Sequence, residues 1–234
     1  MNKYLVTMAG YEQGKNRSNV NGIHRDYTKE ANLLFESSKP YNFTYIDYDN
    51  NWIKNSDYYR IAKDVLDQDS MGWAFKPIVI FDLLSKVDNG SVVMWADSNH
   101  TFQKSDNPDF IIDYAIKNDI FCHDHMNVYY HNMDFTHRDT FVNMCCDQER
   151  YWKSCHLQVN IMAFCKNDFV MYFVAEWLGF SLRYDTMIGN NIYPDFPSFK
   201  NHRHEQSIFS ILAEKYKIPY RKNIVGEGTN ISGR

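Results

Sequence analysis

Four short apolar runs, each closed by a polar turn, alternate along the chain with stretches of helical spacing. The runs are residues 3–8, 43–48, 92–95 and 158–164. Val92, Val93, Met94 and Trp95 form a nearly continuous apolar segment, and a Val-Val pair favours extended backbone. Such a run suits a strand buried on both faces, as in the parallel sheet of an α/β protein. Residues 120–122 predict a further edge strand.

Between the runs the apolar period changes to that of helices. Tyr27, Ala31, Leu34 and Phe35 predict a helix over 27–37, stopped by Lys39-Pro40. Tyr59, Ala62, Lys63 and Leu66 predict one over 56–66. Ile78, Phe81, Leu84 and Ser85 predict one over 78–87, with Pro77 in its first turn. Shorter helices are expected over 108–117 and from 140. The clearest amphipathic pattern is 168–182, where Phe169, Tyr172, Phe173, Glu176, Trp177 and Phe180 share a face. Residues 187–201 read as loop, and 207–216 as a last helix. This alternation predicts an α/β fold: a single domain over 1–221 with a mostly parallel central sheet flanked by helices. Residues 222–234 have the polar, Gly-containing composition of a mobile tail.

Composition narrows the function classes. With 234 residues and 44% hydrophobic content, the chain can bury a sizeable core. The net charge is −4 and no basic block is present, which argues against nucleic acid as a partner. The five cysteines lack metal-type spacing and read as reduced thiols. No apolar run approaches the roughly 20 residues needed to span a bilayer, and no leader pattern precedes the first strand. Together these predict a cytoplasmic protein without a transmembrane segment.

Candidate chemistry lies where strands end. Ligands of open α/β sheets bind beyond the carboxyl ends of the strands, and Asp97 stands there. A carboxylate at that edge can hold a hard divalent cation, and a plain polar turn is the other reading. Ala9-Gly10 ends the first strand in small residues that let a ligand approach the backbone. No phosphate-loop or dinucleotide-binding glycine pattern follows. Asp47 and Tyr48, at the tip of the second strand, suit a base or ribose, or form a common turn. Lys76 precedes a helix start, where an ammonium is unfavourable unless an anion is near; a solvated lysine is the other reading. Asn160 sits inside an apolar run and must find partners. The His123-Asp124-His125 triplet is metal-like or a polar turn.

Three segments in order carry a resemblance. They are Gly72-Trp73-Ala74-Phe75-Lys76-Pro77 with the strand ending in Asp97; Arg138-Asp139-Thr140-Phe141 with Tyr151-Trp152 and 158–164; and His202-Arg203-His204-Glu205-Gln206-Ser207. Together they resemble the small nucleotide-sugar glycosyltransferases of GT-A (Rossmann-like) fold found in bacteria and large DNA viruses, including a domain that decorates chlorella-virus capsid glycans. The resemblance spans about 3–216. It implies a hexosyl- or deoxyhexosyltransferase taking a nucleoside-diphosphate sugar, UDP-sugar first, to a glycan acceptor, a viral capsid glycan among the candidates. If the chain is viral, its place is the host cytoplasm.

The resemblance also implies Mn2+ or Mg2+. Asp97 matches the first acid of the family's Asp-x-Asp motif. Asn99 replaces the second acid, which weakens metal ligation, and Ser98 between them is a donor-binding candidate in its stead. Thr7, Ala9 and Gly10 match the first-strand nucleotide edge, and Asp47 and Tyr48 the base- and ribose-facing tip. Lys76 and Asn160 match donor-side positions, and Glu205 and Gln206 an acid-Gln pair facing sugar and acceptor. In that role Asp97 and Glu205 are the catalytic candidates. Lys76 and a cation stabilise the leaving diphosphate, and Glu205 is the base of an inverting transfer or positions the sugar in a retaining one. Two other classes compete: an inactive nucleotide- or carbohydrate-binding module, motivated by Asn99, and a metal-dependent hydrolase using His123, Asp124, His125, His202 and His204.

Overall fold

The computed structural model describes residues 1–8, 27–68, 71, 73–102, 108–125, 129–222 and 232–233. In chain order the elements are β1 (Lys3–Met8), α1 (Tyr27–Ser38), β2 (Thr44–Tyr48), α2 (Asn50–Lys54), α3 (Asp57–Ile61), α4 (Lys63–Leu66), α5 (Phe75–Lys86), β3 (Val92–Ala96) and β4 (His100–Thr101). Then come α6 (Pro108–Asn118), β5 (Ile120–His123), α7 (Arg138–Asn143), α8 (Glu149–Trp152), β6 (Gln158–Cys165), α9 (Asp168–Ser181), α10 (Tyr184–Met187), α11 (His204–Lys215) and β7 (Ser232–Gly233). The chain is a helix-flanked α/β domain, as the alternation of apolar periods predicts.

The central sheet has the order β2-β1-β3-β6-β5. β1 pairs parallel with β2 and with β3, while β6 pairs antiparallel with both β3 and β5. It follows that β2, β1, β3 and β5 point one way and β6 alone points the other. The α6 crossover delivers β5 in the direction of β3, as a parallel connection requires, and β6 then enters between them reversed. That reversal places the start of β6 beside the end of β3, where Asp97 N donates to Asn160 O at 2.9 Å.

Both faces of the sheet are covered, which explains the uninterrupted apolar strands. In β3, Val93 and Trp95 pack on one face with Ile78, Phe173, Trp177 and Phe209. Val92, Met94 and Ala96 pack on the other with Leu34, Ile111, Ile112 and Phe121. The first layer is α5, α9 and α11, and the second is α1 and α6. At about 1.5–3 kcal/mol for each fully buried large side chain, these two layers dominate stability.

Local chemistry sets several boundaries. Asp49 caps α2 by accepting from Trp52 N at 2.7 Å, and Asn167 caps α9 through Val170 N at 2.8 Å. The single helix predicted over 56–66 is two short ones, broken at Ala62, whose φ of −127° and ψ of 43° are not helical. α5 and α11 each begin three residues before the predicted start. Residues 222–234 are described only at Lys222 and at 232–233, where β7 pairs antiparallel with β4. The rest of that segment lies outside the described residues, as do Ala9 and Gly10. The five cysteines are free thiols, and among the described residues no helix is long and apolar enough to cross a membrane.

Two carboxylates organise the segment leading into α11. Asp139, in the first turn of α7, accepts backbone N–H groups from Asn190 at 2.7 Å and Tyr193 at 2.8 Å, and from Ile192 at 3.1 Å. Asp195 returns the clamp, accepting from Arg138 N at 3.0 Å and meeting His137 Nδ1 at 2.9 Å. Arg138 does not pair with the adjacent Asp139. Its guanidinium reaches Asp147 at 3.2 Å, because neighbours in a helix diverge by about 100°. Burial pushes the Asp139 carboxyl up, but the N–H groups of Tyr193, Ile192 and Asn190 outweigh it and hold it below the usual carboxylate range. Its folded pKa is depressed, so its contribution is present at neutral pH and is lost as pH falls through that value. Asp139→Asn is expected to cost about 1–3 kcal/mol at pH 7, measured by urea denaturation, with faster proteolytic nicking at 189–195. Wild-type stability and nicking in the variant would contradict the clamp.

Candidate active site

A cavity of about 350 Å³ opens beyond the carboxyl end of β3. Its walls are Trp73 and Lys76 from the start of α5, Asp97 after β3, Gln158 and Asn160 from the start of β6, and Asn201 to Gln206 entering α11. The reversed β6 and the early starts of α5 and α11 bring these segments to one sheet edge.

Lys76 is the centre of the site. Its side chain is 5% exposed, and its Nζ lies 3.0 Å from Asp97 Oδ1 and 3.2 Å from Glu205 Oε1. It also donates to Val159 O at 3.4 Å. The rings of Trp73 and Trp95 flank the ammonium at 5.9 and 5.8 Å. The sequence placed Lys76 ahead of a helix; it stands instead inside the first turn of α5, because two carboxylates offset its burial. Burial alone would lower its pKa, but Asp97 and then Glu205 reverse that and raise it above the ordinary lysine value.

Glu205 is buried in the first turn of α11. Burial pushes its carboxyl up to about 7 against the pull of Lys76, with the Asp97 charge adding to the rise. Trp177 of α9 fixes that turn by donating its Nε1–H to Glu205 O at 2.9 Å. Asp97 is partly open, and its Oδ1 also accepts from Trp95 Nε1 at 2.9 Å. Trp73 and His204 on the cavity wall have φ of 66° and 49°. Left-handed backbone at bulky residues is strained and is concentrated at functional sites.

Of the expected residues, Lys76, Asp97, Asn160, Glu205 and Gln206 meet in this cavity. Thr7 does not: it is buried, and its Oγ1 donates to Ala96 O at 2.8 Å, joining β1 to the end of β3. Tyr48 turns into the core, its ring 4.6 Å from Trp52 and its hydroxyl donating to Asp82 Oδ2 at 2.5 Å. Strand alternation leaves Asp47, its neighbour, on the exposed side. Ser98 is buried beside the cavity edge. Asn160 spends its amide on two histidines, His100 Nε2 at 3.3 Å and His123 Nε2 at 3.0 Å. Trp73, Gln158 and Arg203 were not singled out in the sequence. Trp73 and Arg203 lie within the motif stretches, but as single residues they carry no periodic or spacing signal.

The histidines do not form a hydrolase centre. His123 Nδ1 meets Asp124 O at 2.8 Å, and His202 Nε2 and His204 Nδ1 share Met187 O at 3.1 and 3.0 Å. His125 is held by Gln158 at 2.6 Å and His156 at 3.2 Å. Burial lowers the pKa of His123, His125, His156 and His202, so these rings stay neutral at pH 7.

The implied Mn2+ or Mg2+ also finds a poor fit. Asn99 Oδ1 is turned onto His100 Nδ1 at 3.0 Å. Asp97 Oδ1 already has two donors, and among the described residues no group of three His, Cys, Asp or Glu side chains is placed to hold an ion. A cation on Asp97 would face the Lys76 ammonium, and even unit charges 4 Å apart repel by about 4 kcal/mol in a partly screened site.

No family model matches the chain, and no curated protein matches it in sequence. Its shape is more informative. The crystal structure of mouse xyloside xylosyltransferase 1 in its apo form aligns over 95% of this chain and 85% of its own, with a TM-score of 0.50 at 9% identity. The fold is GT-A-like. More distant in shape are a glycosyltransferase involved in glycosylation of the major capsid of PBCV-1 (TM-score 0.43, 9% identity, covering 94% of this chain and 81% of that one) and a 4-diphosphocytidyl-2C-methyl-D-erythritol synthase from Anaerococcus prevotii (0.42, 11%, 94% and 86%). In the GT-A-like frame the cavity stands at the carboxyl edge of β3, the position at which open α/β sheets take their ligands.

Proposed function

We propose that this protein is a glycosyltransferase that moves a sugar from a nucleoside-diphosphate donor, a UDP-sugar first among them, to a glycan acceptor. One observation carries the reading: a buried ammonium shared by two carboxylates, in a cavity at the ligand-binding edge of a GT-A-like sheet. Leaving diphosphate gains negative charge as the glycosidic bond breaks. Lys76, fixed before the reaction begins, stabilises that charge more in the transition state than in the ground state.

Asp97 orients Lys76 and faces the donor. Glu205 is the proton acceptor for the acceptor hydroxyl in an inverting transfer: the hydroxyl oxygen bonds to the anomeric carbon, the carbon–oxygen bond to diphosphate breaks, and the proton passes to the carboxylate. A pKa of about 7 suits that role at neutral pH. Gln206 and Gln158, whose amide nitrogens are held by His125 and His156, offer their amide oxygens to sugar hydroxyls, and exposed Asp47, with Ala9 and Gly10, serves the nucleoside. Thr7 and Tyr48 act as packing residues. No step requires a divalent ion.

The test is turnover. Purified protein is incubated with UDP-glucose, UDP-galactose, UDP-xylose and their GDP counterparts, and released nucleotide is measured. Hydrolysis or transfer from one donor, reduced at least about tenfold in Asp97→Asn, supports the reading. The turned-away Asn99 favours a second reading, a nucleotide-binding module without catalysis. Nucleotide binding with no turnover of any donor and acceptor pair would select it.

A further inference from the structure

The donor's charge must be met by something, and the described residues offer no set of metal ligands. This inference rests on the transferase reading above. We propose that Arg203, together with Lys76, holds the donor's diphosphate, so that side-chain cations take the place of a divalent ion.

At the position the motif suggests, one carboxylate oxygen already serves two N–H donors. Asp97 Oδ1 is engaged by Lys76 Nζ at 3.0 Å and Trp95 Nε1 at 2.9 Å. The second position of the motif is an amide, and its oxygen faces His100. Glu205, the other carboxylate in the cavity, also holds Lys76. A resident ammonium thus stands between the only two acids that line the cavity among the described residues.

Lys76 by itself does not suffice. Its charge is offset by Asp97, and by Glu205 when that group is ionised, so a diphosphate needs a further cation. Arg203 supplies it. The residue lines the same cavity and is exposed, and no carboxylate among the described residues pairs with its guanidinium. Its place is nevertheless preset. Its N–H donates to Phe135 O at 3.0 Å and to Ser207 Oγ at 3.2 Å, and its guanidinium lies 5.6 Å from the Phe135 ring centre. Lys200 Nζ lies over the same ring at 5.4 Å, adding positive potential beside Arg203. A planar guanidinium on an aromatic face keeps its N–H fork available for two phosphate oxygens.

Calorimetric titration of UDP and uridine, each in EDTA and in Mn2+, tests this on the full chain. The UDP affinity is expected to change by less than about threefold between EDTA and Mn2+. Arg203→Ala should weaken UDP by about tenfold or more while leaving uridine within about twofold, and Arg203→Lys should recover part of the loss. A structural role for Arg203 would weaken UDP and uridine together, and that result overturns the proposal. So does UDP binding that appears only with Mn2+, which leaves the transferase reading standing. If UDP, GDP and CDP all fail to bind the wild-type protein in either condition, the transferase reading falls and this inference falls with it.

Discussion

Lys76→Met is expected to remove all measurable donor turnover and to destabilise the fold by about 3–5 kcal/mol at pH 8, the usual cost of leaving a buried charge without its partner. Methionine fills much of the same volume, so the loss is electrostatic rather than a cavity. Without the ammonium, Asp97 and Glu205 face each other across the space it occupied, at 3.0 and 3.2 Å from its nitrogen. The variant should also respond to pH in a defined direction. Glu205 already has its pKa raised to about 7 with Lys76 present, and removing the cation raises it further. A carboxyl whose folded pKa exceeds its unfolded value binds more protons in the folded state. Its penalty is therefore absent at low pH and grows as pH rises from the unfolded value to the folded one. The stability gap to wild type should be small at pH 5 and largest at pH 8, a shift of roughly 6–20 °C in melting temperature at the upper end. Thermal melts at both pH values read it directly. Equal stability of the two proteins throughout would mean that Lys76 does not hold the site together.

Glu205→Gln should separate stability from activity. The amide keeps an oxygen for Lys76 Nζ but removes the charge whose burial is costly. In wild type the rise to about 7 represents on the order of 3 kcal/mol given up between about pH 4.5 and pH 7. The glutamine variant has no such slope and should gain on wild type as pH increases. Turnover should move the other way. If Glu205 accepts the proton of the acceptor hydroxyl, wild-type kcat/KM rises with pH to a plateau above about 7. The variant should lose this limb and fall by about 10²–10⁴-fold. A full pH profile of kcat/KM for both proteins, with melts alongside, decides the matter. An unchanged limb in the variant would assign the titration to another group and leave Glu205 a positioning residue.

The parts of the fold visible in the sequence were those with uniform demands. β3 is covered on both faces and apolar at every position, and β6 is apolar from Ile161 to Phe164, so the two strands stand out. α9 carries its periodicity because one side meets α5 and α11 and the other meets water. The run over 56–66 misled because its spacing is helical while Ala62 breaks the backbone in two, a break that spacing does not encode. The early start of α5 was hidden because a lysine at a helix start reads as solvent-facing until Asp97 and Glu205, 21 and 129 residues further on, are brought to it.

The site was visible to the same degree. Asp97, Lys76, Glu205, Gln206 and Asn160 meet because chemistry-bearing residues stood at strand ends and helix starts. Tyr48 and Thr7 look equally chemical in sequence, but strand alternation sends Tyr48 inward and a neighbouring carbonyl takes up Thr7. Gln158 enters the site only because β6 runs backwards beside β3, and Arg203 because α11 starts at the same edge. Strand direction is a long-range property, and single-residue patterns do not carry it.

That reversed strand also governs how the protein must fold. β1 pairs with β3 about 90 residues away, and β3 with β6 about 70 residues away. Pairings that close such long loops come late and slowly. The cavity cannot half-form: a nascent chain that has reached α9 has its whole sheet but lacks Arg203 and Glu205, so its Lys76 has no second anion. Binding competence should therefore appear in one step, at the docking of α11. A nucleotide present during refolding should protect amides of α5 and α11 from hydrogen exchange at the same moment, although the two helices lie more than 100 residues apart.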